Sequence, residues 1–279
     1  MPADPLCEIA PLRETAYAKI NLALHVRSRR ADGYHDLETV FAFVDAGDFL
    51  SAQLANEFAL TVTGPFAGDL AGETDNLVLR AARALARAGG VTSALAFTLD
   101  KRLPVAAGIG GGSADAGAAI RLAQRIWGCD VGTTHLTHLG ADVPACVASR
   151  TCFGSGVGDR LADLALPGLA GAPVLLVNPR VACPTGPVFR LWNGVDHGPL
   201  DPANWQTARN DLELPAIALV PEIGAVLLAL RQTGANVTRM SGSGATCFAI
   251  YDDTGQRDRA ARQIADRQPD WWTLSGALR

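Results

Sequence analysis

The 279-residue sequence predicts a mixed strand-and-helix chain in two halves, and three observations lead there. Apolar residues alternate through Tyr17 to Val26, the period of a strand. They recur at helical spacing at Ala116, Ile120, Ala123 and Trp127, soon after a strand-like run from Ala94 to Leu99. A stretch rich in Pro, Gly and Ala, Leu164 to Pro173, then separates these segments from a new buried-strand pattern at Val174 to Val177.

Taken in order, the first strand puts Ala18, Ile20, Leu22, Leu24 and Val26 on one face and Tyr17, Lys19, Asn21, Ala23 and His25 on the other. Lys19 and Asn21 therefore point the same way. Two readings stand: an ordinary solvated strand face, or a pair that fixes and polarises a phosphate or a reacting hydroxyl. The turn Arg29-Arg30-Ala31-Asp32-Gly33-Tyr34-His35 carries a phenol ring and an imidazole into the next apolar run, Val40 to Val44. Tyr34 alone reads as a core or edge tyrosine; beside His35 it can also stack on a base while the imidazole donates a hydrogen bond. A helix follows over Leu77 to Ala88, and a glycine-rich turn at Gly154 to Gly158 closes the first half. The second half holds a long Pro-rich loop from Pro179 to Pro202, a helix-like run from Ile223 to Leu230 and an apolar strand from Thr246 to Tyr251. No repeat or low-complexity tract appears.

The most informative segment is Pro104-Val105-Ala106-Ala107-Gly108-Ile109-Gly110-Gly111-Gly112-Ser113-Ala114-Asp115, between a strand and a helix. A glycine-rich turn entering a helix leaves unpaired N–H groups in a field that favours anions, with no side chains to block approach. Ser113 is the expected N-cap. A merely tight turn is the bland alternative, but four glycines in five positions at such a junction point to phosphate. The dinucleotide fingerprint fails because Ser113 stands where it needs glycine, and the Walker loop fails for want of its lysine. The protein-kinase elements His-Arg-Asp and Asp-Phe-Gly are missing after the loop. A third kind of nucleotide cradle remains.

Two shorter segments carry chemistry. Leu139-Gly-Ala-Asp142-Val-Pro144 sets a carboxylate in an apolar stretch, where it needs a partner, and a lysine such as Lys19 would serve; a structural cap or pair is the alternative. Met240-Ser241-Gly242-Ser243-Gly244-Ala245 is either a tight turn or a second backbone anion contact.

Composition excludes several classes. Hydrophobic residues make up 48% of the chain, too many for disorder, and the length allows one large domain or two modest ones. Formal net charge is −4 and the only basic concentration is Arg27, Arg29 and Arg30, so nucleic acid is not the expected partner. Met1 to Pro11 does not read as a leader and no apolar run reaches membrane-crossing length, so a cytoplasmic location is expected. The six cysteines, Cys7, Cys129, Cys146, Cys152, Cys183 and Cys247, form no Cys-x-x-Cys and read as small buried thiols. His135 and His138 have no acidic or cysteine neighbour to complete a metal site, and none is expected.

Together, Ala18-Lys19-Ile20-Asn21-Leu22, Arg30 to His35, Pro104 to Ala114, Leu139 to Pro144 and Ser241-Gly242-Ser243-Gly244 resemble, in order and across nearly the whole chain, the GHMP family of small-molecule kinases. The Lys-Ile-Asn opening followed by Asp-Gly-Tyr-His points, within that family, to the non-mevalonate isoprenoid branch, whose substrate carries a cytidine diphosphate. The resemblance implies an α+β, two-domain GHMP kinase fold. Residues 1–163 would form an ATP-binding domain of a type shared with a ribosomal protein, and residues 164–279 a ferredoxin-like domain. It implies ATP, with Mg²⁺ as the ATP complex, and transfer of the γ-phosphoryl group to a C2 hydroxyl. In that reading Asp142 is the base and Lys19 keeps it ionised while orienting the reacting groups. The Pro104 to Ala114 loop wraps the phosphates, Asn76 and Lys101 lie near the adenine, and the Ser241 to Gly244 loop is on the phosphate side. Tyr34 and Phe189 sandwich the cytosine, His35 reads its polar edge, and Asn21 and Thr185 contact the rest of the substrate. Ala114 departs from the family loop, which has a second serine there. A monomer or weak homodimer without nucleic-acid or membrane partners is expected. The alternatives are a homoserine- or mevalonate-type GHMP kinase, or a nucleotide- or RNA-binding module on the same domain type.

Overall fold

A computed structural model describes residues 11–129, 132 and 138–279. Cys7, with the rest of the segment before Pro11, and His135 lie outside the described residues. Strand β1 (Leu12–Arg29) and β2 (His35–Ala55) form a long antiparallel hairpin, its turn pinned where Arg30 reaches Asp32 at 2.9 Å and Asp36 at 3.2 Å. With β3 (Ala59–Thr63), β4 (Ala94–Asp100), β5 (Cys152–Ser155) and β6 (Arg160–Asp163) they make a six-stranded sheet, ordered β3-β4-β2-β5-β6, with β1 pairing to β2; only β3 and β4 run parallel.

Helices α1 (Leu77–Gly89) and α2 (Gly111–Trp127) cover one face of this sheet. Asn76 starts α1 by accepting the Val78 N–H at 2.9 Å, and Gly90 stops it in the left-handed region at φ 63°. Val78, Ala81 and Leu85 of α1 and Ala116, Ile120 and Ala123 of α2 bury against Phe43, Leu50, Phe97 and Leu99 of the sheet. Each large apolar side chain so covered contributes about 1.5–3 kcal/mol. Helix α3 (Val143–Ala148) approaches α2 so closely that a Cβ on Gly117 would lie 2.7 Å from the Cys146 carbonyl oxygen.

The second half is a four-stranded antiparallel sheet, β10-β7-β9-β8, built from β7 (Pro173–Asn178), β8 (Val237–Met240), β9 (Cys247–Ile250) and β10 (Trp272–Ala277). Leu175, Val177 and Ala249 face α5 (Glu213–Leu219), α6 (Glu222–Arg231) and α7 (Thr254–Arg267). The opposite face, Val174, Leu176, Phe248 and Ile250, packs onto Ala18, Ile20, Leu22, Val40 and Ala42. The two halves thus share a core sandwiched between their sheets.

This packing corrects the simple alternation expected of the first strand. Pairing of β1 with β2 slips between Asn21 and Ala23, so Ala23 joins Ala18, Ile20 and Leu22 in the shared core while Leu24 and Val26 join the second half's own core. Beyond the slip, Leu24 pairs with the 209–211 segment through Leu24 N–H to Arg209 O at 3.0 Å and Asp211 N–H to Leu24 O at 2.9 Å. A second correction concerns the loop expected over Pro179 to Pro202, which contains a short helix, α4 (Thr185–Leu191), carrying both Thr185 and Phe189. Among the described residues no helix is long and apolar enough to cross a membrane.

Candidate active site

A cleft of about 890 Å³ opens between the halves, lined by Lys19, Asn21, Tyr34, His35, the glycine loop, Asp142, Thr185, Phe189, Gly242 and Ser243. At its centre, Lys19 Nζ lies 3.0 Å from Asp142 Oδ2, donates to Asn21 Oδ1 at 2.9 Å and sits 5.2 Å from the centroid of the Phe41 ring. The Lys19 side chain is 4% exposed and that of Asp142 34%, so the carboxylate is the member of the pair that faces the cleft. The solvated-face reading of Lys19 and Asn21 falls, since both are buried. Asn21 is fixed from behind: its Nδ2 donates to Thr39 Oγ1 at 2.8 Å, and Thr39 Oγ1 donates to Ala23 O at 2.7 Å.

The glycine loop is locked to this strand. Lys19 N–H donates to Ile109 O at 3.1 Å, and a Cβ on Gly110, at φ 63°, would lie 3.0 Å from Lys19 Cε. The second glycine turn stands against the first. Ser241 Oγ donates to Gly108 O at 2.9 Å and accepts the Asn21 N–H at 3.1 Å, so one hydroxyl joins both loops to β1. Ser243 Oγ and Thr185 Oγ1 share a hydrogen bond at 2.9 Å, which seats α4 on the same turn.

Helix α2 starts one turn earlier than a Ser113 cap would place it. Gly110, in the left-handed region, is the cap, and Ser113 is the third helical residue, bordering the cleft. A serine inside the first turn leaves the N–H groups of Gly111 and Gly112 free of side-chain caps, with no Cβ to screen them. No acidic residue occupies that first turn to neutralise the positive helix end.

Two expected adenine-side residues are not among those lining the cleft. Asn76 is spent on capping α1 and on Glu73, to whose Oε2 its Nδ2 donates at 2.8 Å. Lys101 is 2% exposed and its ammonium is held at 2.6 Å by both Asp48 and Asp115, so it supports the loop from behind instead of facing a ligand. Burying that ammonium without carboxylates would be prohibitive, which is why the pairing decides its direction. Within the loop, Pro104, Val105, Ile109 and Ala114 serve the backbone path, and Ile109 and Ala114 belong to the apolar core.

At the other end of the cleft, Tyr34 is 64% exposed on the hairpin turn. His35 packs against Phe189 with ring centroids 4.9 Å apart and against Trp192 edge-on at 5.6 Å. Arg29 Nε donates to His35 Nε2 at 3.3 Å, which puts the ring proton on Nδ1. Burial, helped by the Arg29 charge, holds the imidazole below its usual 6.5, so it is neutral near pH 7. Arg29, Thr39, Phe41, Gly158 and Arg190 also border the cleft and escaped the sequence reading. Arg29 was visible as part of a basic cluster; Arg190 carried no local signal at all.

Among the described cysteines, Cys146, Cys152, Cys183 and Cys247 are the small buried thiols expected, whereas Cys129 is only half-buried. Cys146, next to the site, is pushed far up by burial and by Asp142, which makes it a poor nucleophile. Among the described residues no cluster of three His, Cys, Asp or Glu side chains is placed to hold a metal ion.

Comparison with known proteins bears on this geometry. Family models for the GHMP kinases N terminal domain and the GHMP kinases C terminal region match residues 76–162 and 196–270. A 4-diphosphocytidyl-2-C-methyl-D-erythritol kinase of Novosphingobium aromaticivorans is 57% identical, with 96% of this chain and 93% of that protein aligned. One from Rhizorhabdus wittichii is 56% identical over 95% and 94%. The crystal structure of a 4-(cytidine 5'-diphospho)-2C-methyl-D-erythritol kinase superposes with a TM-score of 0.83 at 33% identity, covering 96% of this chain and 99% of the other. A homoserine kinase from Cytophaga hutchinsonii, at TM-score 0.63 and 15% identity over 95% of each chain, shares the fold.

Proposed function

The chain belongs to the GHMP kinases, and from that premise we propose that it transfers the γ-phosphoryl group of ATP to the C2 hydroxyl of 4-diphosphocytidyl-2-C-methyl-D-erythritol, giving the 2-phosphate and ADP. The observation that carries the reading is the Lys19–Asp142 pair at 3.0 Å, set in one cleft with the uncapped start of α2 and the His35–Phe189 pair.

Phosphoryl transfer asks a protein mainly for positioning and charge stabilisation. The Gly108 to Ser113 backbone fits a polyphosphate, because glycine leaves its amides open and the helix end is positive. Magnesium, arriving with the nucleotide, would supply charge neutralisation of the phosphate oxygens, with Ser113 and Asp142 as the nearby oxygen donors. Asp142 accepts the proton of the attacking hydroxyl. Lys19, buried and fixed by Asn21, holds the carboxylate in place and offsets the negative charge building on the transferring group. Tyr34 and Phe189 flank the cytosine, His35 offers Nδ1–H to its edge, and Asn21 and Thr185 meet the remainder. The nucleotide side falls within residues 1–163, and residues 164–279 close the substrate side. We place the enzyme in the cytoplasm, as a monomer or weak homodimer.

The test is ADP release by the purified protein with Mg-ATP and the cytidyl alcohol, beside homoserine, mevalonate and an Asp142→Asn variant. Turnover on the cytidyl alcohol alone, lost in the variant, is expected. Turnover on another alcohol instead would keep the family and overturn the substrate.

A further inference from the structure

The alcohol of the proposed reaction carries a diphosphate between its cytidine and its reacting end, and that diphosphate needs cations. Among the described residues, the charged side chains bordering the cleft are Lys19, Arg29, Asp142 and Arg190. Lys19 is engaged with Asp142 at 3.0 Å and with Asn21 Oδ1 at 2.9 Å. Arg29 donates through Nε to His35 at 3.3 Å, which ties it to the base end of the cleft. The open amides of α2 lie on the nucleotide side. Arg190 differs from these cations: among the described residues its guanidinium has no hydrogen bond, ion pair or ring contact.

Its place on α4 gives that free charge a direction. Arg190 follows Phe189, and its Nη1 lies 3.4 Å from where a Cβ on Gly186 would stand, so the side chain runs back along the helix toward Thr185. Phe189 marks the base end of the helix through its contact with His35 at 4.9 Å. Thr185 marks the other end, through its hydrogen bond to Ser243 at 2.9 Å. The turn that holds Ser243 continues through Ser241 to the N–H of Asn21, whose side chain meets Lys19.

We propose that Arg190 is a specificity-determining residue whose guanidinium binds the diphosphate of the alcohol substrate and so selects cytidyl alcohols over bare ones. A substrate reaching from the His35–Phe189 rings to the Lys19–Asp142 pair carries its diphosphate past the middle of α4, where this guanidinium lies. An ammonium there would supply charge alone, whereas the planar fork offers parallel N–H donors that match two phosphate oxygens. The contact is remote from the reacting hydroxyl. Arg190 therefore acts on substrate affinity and leaves the transfer step to Lys19 and Asp142.

The inference rests on the kinase reading of the cleft, and the test separates the two. Dissociation constants of cytidine and of CDP are measured by calorimetry, with the nucleotide side saturated by a non-hydrolysable Mg-ATP analogue, for the wild type, Arg190→Met and Arg190→Lys. Comparing the two ligands isolates the phosphates, because the cytosine contacts count equally in both. Arg190→Met is expected to lose about ten- to thirty-fold in CDP affinity with cytidine affinity unchanged, and Arg190→Lys to fall between. With the cytidyl alcohol the same loss should appear in KM while kcat holds within about two-fold. A ratio of cytidine to CDP affinity that is the same in the wild type and Arg190→Met overturns the proposal and leaves the kinase reading intact, the arginine being then a solvated surface charge. A wild type that binds neither cytidine nor CDP overturns both.

Discussion

Lys19 and Asp142 meet at 3.0 Å with opposite exposures, the lysine sealed under the loop and the carboxylate open to the cleft. The pair is therefore a fixed cation presenting a reachable base. Lys19→Met is expected to lower kcat by about 10²- to 10³-fold with a smaller change in ATP affinity. Lys19→Arg should not restore it, because the ammonium is buried and fixed at 3.0 Å from Asp142 and 2.9 Å from Asn21 Oδ1, a point-charge geometry that a longer planar guanidinium does not match. Steady-state kinetics with titration of Mg-ATP check both; full rescue by arginine would contradict the geometry.

His35 is held neutral near pH 7 by burial and by Arg29. Its lowered value means the ring gains a proton only below its usual 6.5. The KM for the cytidyl alcohol should therefore stay level from pH 8 down past 6.5 and rise only in more acid solution, where protonation of Nε2 destroys its bond from Arg29. A rise already centred near pH 7 would show that the imidazole is not shielded in this way.

Phe189 packs on His35 from α4 and lines the same cleft as the exposed Tyr34. Phe189→Ala is expected to raise the KM of the cytidyl alcohol about ten-fold or more, by removing a stacking surface, while ATP binding is unchanged. Equal losses on both substrates would mean that α4 had collapsed.

Gly108 sits at φ 75° with the Gly244 carbonyl oxygen 2.5 Å from where a Cβ would be, so the two glycine turns touch backbone to backbone. Gly108→Ala should destabilise the fold by about 1–3 kcal/mol and weaken ATP binding together. Urea unfolding and calorimetry on the same preparation measure the two effects; loss of neither would show that the turns can part at no cost.

Removing Lys101 strands Asp48 and Asp115 in the core, so Lys101→Met is expected to cost about 3–5 kcal/mol. The exposed Arg150–Asp163 pair, equally short at 2.6 Å, should be nearly silent when Arg150 becomes Ala. Asp115 adds a sign to this cluster. Its folded-state value of about 7 exceeds the unfolded 3.8, so its stabilisation is complete below 3.8 and is lost as pH rises through about 7. Asp115→Asn should flatten the stability curve over that window, which urea unfolding at a series of pH values measures.

Local chemistry was legible from the chain alone. The helix over Leu77 to Ala88, the helical spacing from Ala116 to Trp127, the β4 and β7 strands, the glycine turn before α2, and Lys19 and Asn21 as same-facing neighbours follow from spacing within a few residues, because backbone periodicity and glycine's freedom act at that range. The Lys19–Asp142 pair was legible for another reason, since a carboxylate in an apolar stretch demands a cation.

What only the tertiary structure decided is how those parts share space. Lys101 reads the same in sequence whether it faces a nucleotide or a core; Asp48 on β2 and Asp115 on α2, brought to its ammonium by sheet pairing and helix packing, turned it inward. The slip after Asn21, which sends Ala23 one way and Leu24 the other, arises because β1 must serve two cores at once. The place of Phe189 against His35 likewise depends on α4 docking across the shared cleft. Which distant partner a charge finds is set by long-range packing, and Lys101, unlike Asp142 in its apolar stretch, carries no local mark of it.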